Sequence, residues 1–355
     1  MKPFNELTYR GKVQRFRQLA RVALDAYGLG VPHLKFLRMA GNTLFQVIES
    51  HPPTIKDVIC TYVEGQYLLR IHDPAEQATE AIKLELEWLT AIRREAGLPV
   101  PEPVPTMDGQ LLVPVSIPGV PGKRDCSLLR WIKGHFEIKR IQPHHFEAQG
   151  RIMAQLHSHA ENWRPPQGLN KRRFDYEGLF KDDAGTGLPN SEAWLLLPRN
   201  YLTPCETVAR RVEQIMGKWG KGPSVYGLIH GDCGVDANVL FWKGEARPID
   251  FDGSGFGYYM YDLSIALEHC WDDKKYAQYR EALLKGYAEY RFLTYGQLQQ
   301  MDLFLAAFYV YMGLWTVAMD HVYPDSPNGP YRRHRWLERG MNYINRYLEQ
   351  SNLHD

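Results

Sequence analysis

The spacing of hydrophobic residues changes part-way along the chain. The first part alternates short apolar runs with Gly, Asn and Asp, a pattern typical of strands and turns. An amphipathic stretch at residues 16–27, closed by Gly28, is predicted to form a helix before them. Predicted strands occupy residues 34–39, 43–49, 58–63, 66–72, 110–116 and 126–132, with hairpin turns at Glu64-Gly65 and Asp108-Gly109.

A helix is predicted between the fourth and fifth of these strands. Asp73 is suited to the N-cap and Pro74 to the first helical position, so the helix would run from there to Ala96. Gly97 is suited to end it. Four prolines between residues 99 and 105 then impose an extended segment.

After residue 134 the apolar residues recur at helical spacing. Because the pattern changes near residues 127–134, we predict two domains, a small strand-rich lobe at 1–130 and a larger, mainly helical lobe at 131–355. The fold class is α+β, with an antiparallel sheet in the first lobe. Predicted helices span residues 143–160, 204–219, 260–270, 273–290, 295–319 and 331–350, and residues 163–198 form an irregular insertion.

Composition excludes several classes of protein. The formal net charge is +1, from 42 basic and 41 acidic residues, so no global field favours nucleic acid or an anionic membrane. The five cysteines are widely spaced and include no Cys-x-x-Cys pair, which argues against a disulfide framework and a zinc site. The N-terminus lacks a secretory apolar region, so we expect a cytoplasmic protein. Residues 303–319 are uncharged, and we expect a buried helix there instead of a membrane span.

The residues best suited to chemistry lie between His230 and Asp262. Two apolar runs flank Lys243-Gly244 and predict a hairpin with a polar loop at each end. This hairpin would bring Asp232, Asn238 and Asp250 to one edge. Phosphoryl transfer needs such a group, because one carboxylate orients the attacking hydroxyl and other oxygen ligands hold Mg²⁺.

This segment resembles the aminoglycoside phosphotransferase and choline kinase-like family, which is related to protein kinases. The pattern of that family falls on His230-Gly231-Asp232, Asn238, Ile249-Asp250-Phe251-Asp252 and Asp262-Leu263. The stretch from Asp250 to Leu263 is most similar to the branch of stress-response and homoserine-type kinases. The resemblance implies a bilobal protein-kinase-like fold that binds ATP and Mg²⁺.

The resemblance also implies a role for individual residues. In the second lobe, Asp232 would be catalytic, Asn238 and Asp250 would bind metal, and His230, Asp252 and Asp262 would give structural support. In the first lobe, the nucleotide-binding residues would be Gly41 and Asn42 at the tip of a covering loop, Arg70 held by Glu85, and Leu129 and Trp131 in the hinge that meets adenine.

The sequence departs from the family pattern at two points. Arg70 stands where many relatives have Lys, and five residues, not four, separate Asp232 from Asn238. We expect the extra residue to bulge at Gly234 through a positive φ, with Asn238 facing the metal and Asp236 facing solvent or the acceptor. Asp236 in place of Asn238 as the metal ligand is the alternative.

The predicted function is an ATP- and Mg²⁺-dependent phosphotransferase acting on a hydroxyl of a small-molecule acceptor. A serine/threonine protein kinase and a regulatory nucleotide-binding pseudokinase are the alternatives. The expected partner is the small-molecule acceptor, with no nucleic acid and no membrane, and a homodimer is left open. For a cationic acceptor, the acids Glu268, Asp272 and Asp273 would be available, although we favour a solvated helix start with Asp272 or Asp273 as its cap. The pairs His144-His145 and His157-His159 are interpreted as ordinary helix and surface residues.

Overall fold

The computed structural model describes residues 2–29, 31–50, 61–325 and 329–351. The chain forms two compact units. The first contains Met1–His135, Pro165–Asn170 and Arg247–Ile249, and the second contains Phe136–Arg164, Lys171–Ala246 and Asp250–Asp355. The first break lies a few residues beyond the predicted one, and two short later segments belong to the first unit.

The first unit is built on an antiparallel sheet. Its five strands are ordered β1 (His33–Ala40), β2 (Asn42–Ile48), β3 (Tyr62–Ile71), β5 (Arg124–Ile132) and β4 (Val113–Val115). Helix α1 contributes Leu19, Ala23 and other buried residues to the apolar core of this unit. The elements are α1 (Tyr9–Asp25), β1 (His33–Ala40), β2 (Asn42–Ile48), β3 (Tyr62–Ile71), α2 (Thr79–Ala91), β4 (Val113–Val115) and β5 (Arg124–Ile132).

The hairpin predicted at Glu64-Gly65 is wrong. Residues 62–71 form the single strand β3, which pairs with β2 on one side and β5 on the other. Its register with β5 shifts between Tyr62 and Tyr67, and Gly65 has φ 65°, so the glycine accommodates a bulge. Pairing on both edges of the strand overrides the local turn signal. Residues 58–60 of the predicted preceding strand lie outside the described part of the chain.

Helix α2 begins later than predicted. Asp73 makes a local turn, in which its Oδ1 accepts the N–H of Ala75 at 3.2 Å, and the helix starts at Thr79 after Ala78. Its end agrees with the prediction, because a π-helical turn over Ile92–Ala96 is followed by Gly97 at φ 64°.

The second unit is mainly helical. It contains a sheet ordered β6 (Arg173–Phe174), β10 (Gly255–Tyr258) and β7 (Tyr226–Ile229). A second sheet is formed by β8 (Val239–Trp242) and β9 (Glu245–Pro248), and the last two residues of β9 are counted with the first unit. The β8–β9 hairpin is confirmed, and Lys243 (φ 49°) and Gly244 (φ 81°) form its turn. The elements are α3 (Pro143–Asn162), β6 (Arg173–Phe174), α4 (Tyr176–Phe180), α5 (Asn190–Ala193), α6 (Arg199–Trp219), β7 (Tyr226–Ile229), β8 (Val239–Trp242), β9 (Glu245–Pro248), β10 (Gly255–Tyr258), α7 (Tyr259–Ile265), α8 (Tyr276–Ala288), α9 (Tyr295–Leu298), α10 (Met301–Val322), α11 (Gly329–Arg332) and α12 (Arg339–Ser351).

Helix α10 is the apolar segment singled out in the sequence. Among the described residues, the stretch Tyr295–Val322 is long and apolar enough to cross a membrane, but 78% of its most apolar window is buried inside the protein. Its position agrees with the expected core helix. The cytoplasmic location stays a prediction.

Helices α3 and α8 pack through two glycines. A Cβ on Gly150 would overlap the carbonyl oxygen of Leu283, and a Cβ on Gly286 would overlap that of Glu147. The two backbones are therefore in direct contact. This contact fixes the position of α3, which carries two side chains that support the candidate site.

Candidate functional site

The candidate site begins where β7 ends, at His230-Gly231-Asp232. Gly231 has φ 78°, and a Cβ there would lie 2.6 Å from the carbonyl oxygen of Gly253. Only glycine fits this close approach without strain. The loop that carries Asp232 therefore lies against the turn at residues 251–253.

Asp262, on α7, holds the backbone of this loop. Its carboxylate accepts the N–H of His230 at 3.1 Å and of Gly231 at 2.9 Å. His157 adds a third bond, with Nε2 3.0 Å from Asp262 Oδ2, while its Nδ1 lies 3.0 Å from the hydroxyl of Tyr287. Because an ionised carboxylate only accepts, Nε2 carries the proton and Nδ1 accepts from Tyr287.

Burial and hydrogen bonding set the protonation of this pair. Burial lowers the pKa of His157 below its usual value, so the ring is neutral. Burial alone would raise the pKa of Asp262, but hydrogen bonds from His157 and the loop hold it below its usual value. Asp262 is thus a buried, ionised acceptor, which is the geometry expected of a supporting residue.

Asp232 is fixed by its neighbours on the loop. The side-chain nitrogen of Asn238 donates to the carbonyl oxygen and to Oδ2 of Asp232, at 2.8 Å each. The N–H of Asp232 lies 3.3 Å from Nδ1 of His230, whose ring contacts Phe251 at 4.5 Å between centroids. Gln149, on α3, donates to the carbonyl of Cys233. Both the backbone and the carboxylate of Asp232 are therefore held in place.

The extra residue of the loop is accommodated by a helical turn. The carbonyl of Gly234 accepts the N–H of Ala237 at 3.2 Å and of Asn238 at 2.9 Å. The predicted positive φ at Gly234 is wrong, since Gly231 is the loop glycine with that conformation. A turn of helix shortens the path between Asp232 and Asn238 without needing a left-handed residue. Asp236, half-buried on this turn, lies 3.6 Å from Nδ1 of His269.

Asp250 and Asp252 add negative charge near Asp232. Asp250 is exposed and left-handed, with φ 65° and ψ 59°, and begins a short 3₁₀ turn at Phe251–Gly253. Asp232 is in part exposed to solvent, yet the pKa of its carboxyl group is raised to about 7. The larger cause is desolvation by the protein packed around it, and the negative charges of Asp250 and Asp252 come next. The arrangement therefore provides a carboxylate that can accept a proton near neutral pH.

The oxygen atoms available here suit a hard divalent cation. Asn238 uses its nitrogen on Asp232, which leaves Oδ1 as the atom that would coordinate metal, and Asp250 offers an exposed carboxylate. No group of three or more His, Cys, Asp or Glu suited to metal occurs within the part of the chain that the structure describes. Such a sparse protein ligand set fits Mg²⁺, which usually keeps water and substrate phosphate oxygens as ligands.

Lys171 supports the turn after Asp250 and was missed by the sequence analysis. Its ammonium donates to the carbonyl oxygens of Phe251 at 3.0 Å and Asp252 at 3.3 Å, and to the hydroxyl of Ser254 at 2.5 Å. Lys171 lies in the segment interpreted only as an irregular insertion. No local motif marks a lysine that acts some 80 residues away.

In the first unit, Arg70 and Glu85 form a buried ion pair. Their side chains are 3% and 1% exposed, so the pair predicted from sequence is formed. Gly41 is the tip of the β1–β2 hairpin with φ 65°, and the carboxylate of Glu76 lies directly against it. Asn42 Oδ1 accepts the N–H of Asp73 at 3.0 Å. The hairpin tip is thus held on the connection between β3 and α2.

Leu129 and Trp131 lie within β5, which covers the strand predicted at residues 126–132. Leu129 pairs with Leu68 of β3 and forms a bridge with Pro103. On the same edge, residues 102–104 accept the N–H of Arg130 and donate to the carbonyl of Leu128, both at 2.8 Å. The contact of Leu129 and Trp131 with adenine stays a prediction, and this edge of β5 is already hydrogen-bonded around Leu129.

The acids considered for a cationic acceptor are already paired. Glu268 contacts Arg335 at 2.7 Å, and Asp272 contacts Arg339 at 2.7 Å. Asp273 Oδ1 accepts the N–H of Lys275 at 2.7 Å, as a helix-start residue does. The interpretation as local structure therefore fits these three residues better than an acidic pocket.

Comparison with known proteins places this geometry in a family. Residues 57–299 match the family described as "Phosphotransferase enzyme family". Amicoumacin kinase of Bacillus subtilis (strain 168) is 21% identical over 297 residues, 78% of each chain. Homoserine kinase of Agrobacterium fabrum is 26% identical over 218 residues, 58% of this chain and 60% of that protein.

Two solved structures are similar along almost the whole chain. A microcompartment-associated aminopropanol kinase gives a TM-score of 0.74 at 23% identity, covering 94% of this chain and 98% of the other. Amicoumacin kinase hAmiN, in complex with AMP-PNP, Ca²⁺ and Ami, gives 0.69 at 18% identity, covering 94% and 96%. These likenesses confirm the predicted fold class.

Proposed function

Because the chain belongs to the phosphotransferase enzyme family, we propose that it transfers the γ-phosphoryl group of ATP, with Mg²⁺, to a hydroxyl of a small molecule. The observation that carries this proposal is Asp232, whose backbone carbonyl and carboxylate each accept a bond from Asn238 and whose pKa is raised to about 7. A general base is most effective when its pKa lies near the working pH. A carboxylate with an ordinary pKa near 3.9 would be a weaker proton acceptor.

In the proposed reaction, the acceptor oxygen attacks the γ-phosphorus while the bond from that phosphorus to the β,γ-bridging oxygen breaks. ADP leaves, and the hydroxyl proton moves to Asp232. Asn238 orients the Asp232 carboxylate through Oδ2, and Asp262 holds the loop backbone behind it. The chain thus positions the base and leaves the bond-making to the two substrates.

Arg70 is the residue that would bind the phosphates of ATP. Arg70 keeps its charge at any relevant pH, and its pairing with Glu85 fixes the direction of the guanidinium. Asn238 Oδ1 and Asp250 would hold Mg²⁺, which neutralises charge on the phosphates. Support for a nucleotide comes from the similar fold of hAmiN, which was solved with AMP-PNP and Ca²⁺.

A small-molecule acceptor is favoured over a protein by the relatives. The similar proteins are named as kinases of aminopropanol, homoserine and amicoumacin, which points to a small alcohol. We propose a compound of this general kind as the acceptor.

The experiment is an ADP-release assay with Mg²⁺-ATP and a panel of acceptors. The panel contains small amino alcohols, homoserine, aminoglycosides, a generic protein substrate and water alone. We expect acceptor-dependent ADP release with at least one small alcohol, and loss of that release in Asp232→Asn but not in Asp273→Asn. Phosphorylation of the protein substrate alone would overturn the small-molecule proposal. If millimolar Mg²⁺-ATP produces no heat of binding and no shift in melting temperature, the proposal of nucleotide binding is itself overturned.

A further inference from the structure

Lys171 is a buried cation whose contacts converge on one short turn. Its side chain lies just before β6, and the residue is 6% exposed. Lysine is rarely buried to this extent unless its ammonium is bonded. The ammonium of Lys171 donates to Phe251 O, Asp252 O and Ser254 Oγ.

The turn that Lys171 holds begins directly after Asp250. Asp250 is a non-glycine residue at φ 65°, a left-handed conformation that is unfavourable for such residues and persists only where the surroundings impose it. Several hydrogen bonds hold the turn that follows Asp250. Phe251 O accepts bonds from the N–H of Ser254 at 3.0 Å, from its hydroxyl at 2.5 Å, and from Lys171.

The direction of the Asp250 carboxylate depends on this turn. Its backbone leads without a break into Phe251 and Asp252, whose carbonyl groups Lys171 holds. If these carbonyls were released, the strained φ and ψ of Asp250 would be free to relax toward a common conformation. The carboxylate would then point elsewhere for much of the time.

We propose that Lys171 is a positioning residue that sets the affinity of the site at Asp250 for a divalent cation. This inference rests on the proposed function, because it assumes that Asp250 binds the metal that accompanies ATP. Lys171 acts through the backbone of residues 251–252 and does not itself touch substrate. Residues that orient metal ligands are worth about 10- to 100-fold in metal affinity in other proteins.

The test compares Lys171→Met with Lys221→Met. Methionine keeps much of the aliphatic stem but removes all three donors. Lys221 is the matched control, since its ammonium pairs with Asp175 at 2.7 Å in the same unit and its side chain is half exposed. Ser254→Ala is a second variant that removes one of the three acceptors and keeps the lysine.

Three measurements are made on the full chain. The first is the binding of Mn²⁺, followed by electron paramagnetic resonance with a non-hydrolysable ATP analogue present. The second is hydrogen exchange of the Ser254 amide, which needs no metal. The third is the rate of ADP release as a function of Mg²⁺ concentration.

In Lys171→Met we expect a half-saturating Mn²⁺ concentration about tenfold higher, faster exchange at Ser254, and ADP release that recovers at high Mg²⁺. The KM for the acceptor should not change, and Lys221→Met should match the wild type. Ser254→Ala should show a smaller shift in the same direction, and it carries the test if Lys171→Met fails to fold.

An unchanged Mn²⁺ curve in a folded Lys171→Met or Ser254→Ala variant overturns the inference. So does a loss of ADP release that is equal at every Mg²⁺ concentration, because that is what a general structural defect produces. If the wild-type protein takes up no Mn²⁺ with the nucleotide, the proposed function fails first. If the wild type binds Mn²⁺ normally and the variants do not differ from it, only the proposed role of Lys171 is overturned.

Discussion

The side-chain nitrogen of Asn238 donates hydrogen bonds to the backbone carbonyl oxygen and to the carboxylate Oδ2 of Asp232, each at 2.8 Å. The two residues are therefore tied together across the lengthened loop. The turn at residues 234–238 accommodates the extra residue of the loop. Asn238 therefore stays within hydrogen-bond distance of Asp232 although the loop is one residue longer.

Asn238→Ala should lower the rate of phosphoryl transfer by an order of magnitude or more. The change removes both bonds to Asp232 and the proposed metal-binding oxygen. Asp236→Ala should have a milder effect, because Asp236 is half-buried and lies 3.6 Å from Nδ1 of His269. Steady-state assays of the two variants compare them directly, and a larger loss in Asp236→Ala would show that Asp236 took over the metal.

Asp232→Asn should abolish turnover while leaving the Kd for Mg²⁺-ATP within a few-fold. Asp250→Asn should instead weaken Mg²⁺-ATP binding, because its carboxylate is the proposed metal ligand. Isothermal titration with a non-hydrolysable analogue separates the two effects. Equal losses of affinity in both variants would reverse the roles assigned to these residues.

The rate should fall on the acid side of neutrality. The pKa of Asp232 is raised to about 7, so the base form is lost as the pH drops below that value. The negative charge of Asp252 contributes to this rise, so Asp252→Asn should move the acid limb of kcat/KM for Mg²⁺-ATP to lower pH. A profile that stays in place would show that another group controls the limb.

His157→Gln should reduce the dependence of stability on pH between pH 6.5 and 5. The unfolded chain binds a proton at its histidine below about pH 6.5, whereas the folded protein keeps His157 neutral. Stability therefore falls as the pH falls, by up to about 1.4 kcal/mol per pH unit for one proton. The lowered pKa of Asp262 acts at lower pH, because its contribution is complete above the unfolded value near 3.9.

Urea unfolding at several pH values measures this slope. His334→Gln is the control, since His334 is a histidine with an exposed side chain. The same slope in wild type and His157→Gln would contradict a neutral His157 in the folded protein.

Gly41→Ala should destabilise the first unit more than Gly109→Ala does. Both glycines have positive φ, but a Cβ on Gly41 meets the Glu76 carboxylate, whereas a Cβ on Gly109 meets nothing within 4 Å. Gly109→Ala thus measures the backbone cost alone, about 1 kcal/mol. Adding Glu76→Ala to Gly41→Ala should recover the excess, and an equal loss in the two single variants would show that the contact with Glu76 is unimportant.

Residues that are linked through a short motif could be placed from the sequence. Asp232, Asn238 and Asp250 could be predicted to lie at one edge because they lie beside one hairpin, and the Lys243-Gly244 turn of this hairpin has a strong local signal. The ion pair of Arg70 with Glu85 was found through the resemblance to a family. In each case the pattern spans few residues or is already known.

Residues that act over long distances along the chain could not be placed. Lys171 reaches Phe251, Gln149 reaches Cys233, and His157 reaches Asp262, all from segments without a motif. His157 was interpreted as an ordinary helix residue, because nothing local distinguishes a histidine that binds a buried carboxylate from one in solvent. The hairpin prediction at Glu64-Gly65 failed for a related reason, because β3 pairs on both edges with strands from other parts of the chain.

The glycine contact between α3 and α8 has a consequence for motion in the second unit. At Gly150 and Gly286 backbone meets backbone with no glycine side chain between them, so the helices cannot move apart at these two points by a change of rotamer. We expect the amides of both helices to exchange with a common free energy of opening, as one cooperative unit. Gln149 and His157 move with α3, so the catalytic loop would lose both supports in the same opening event and keep both until then.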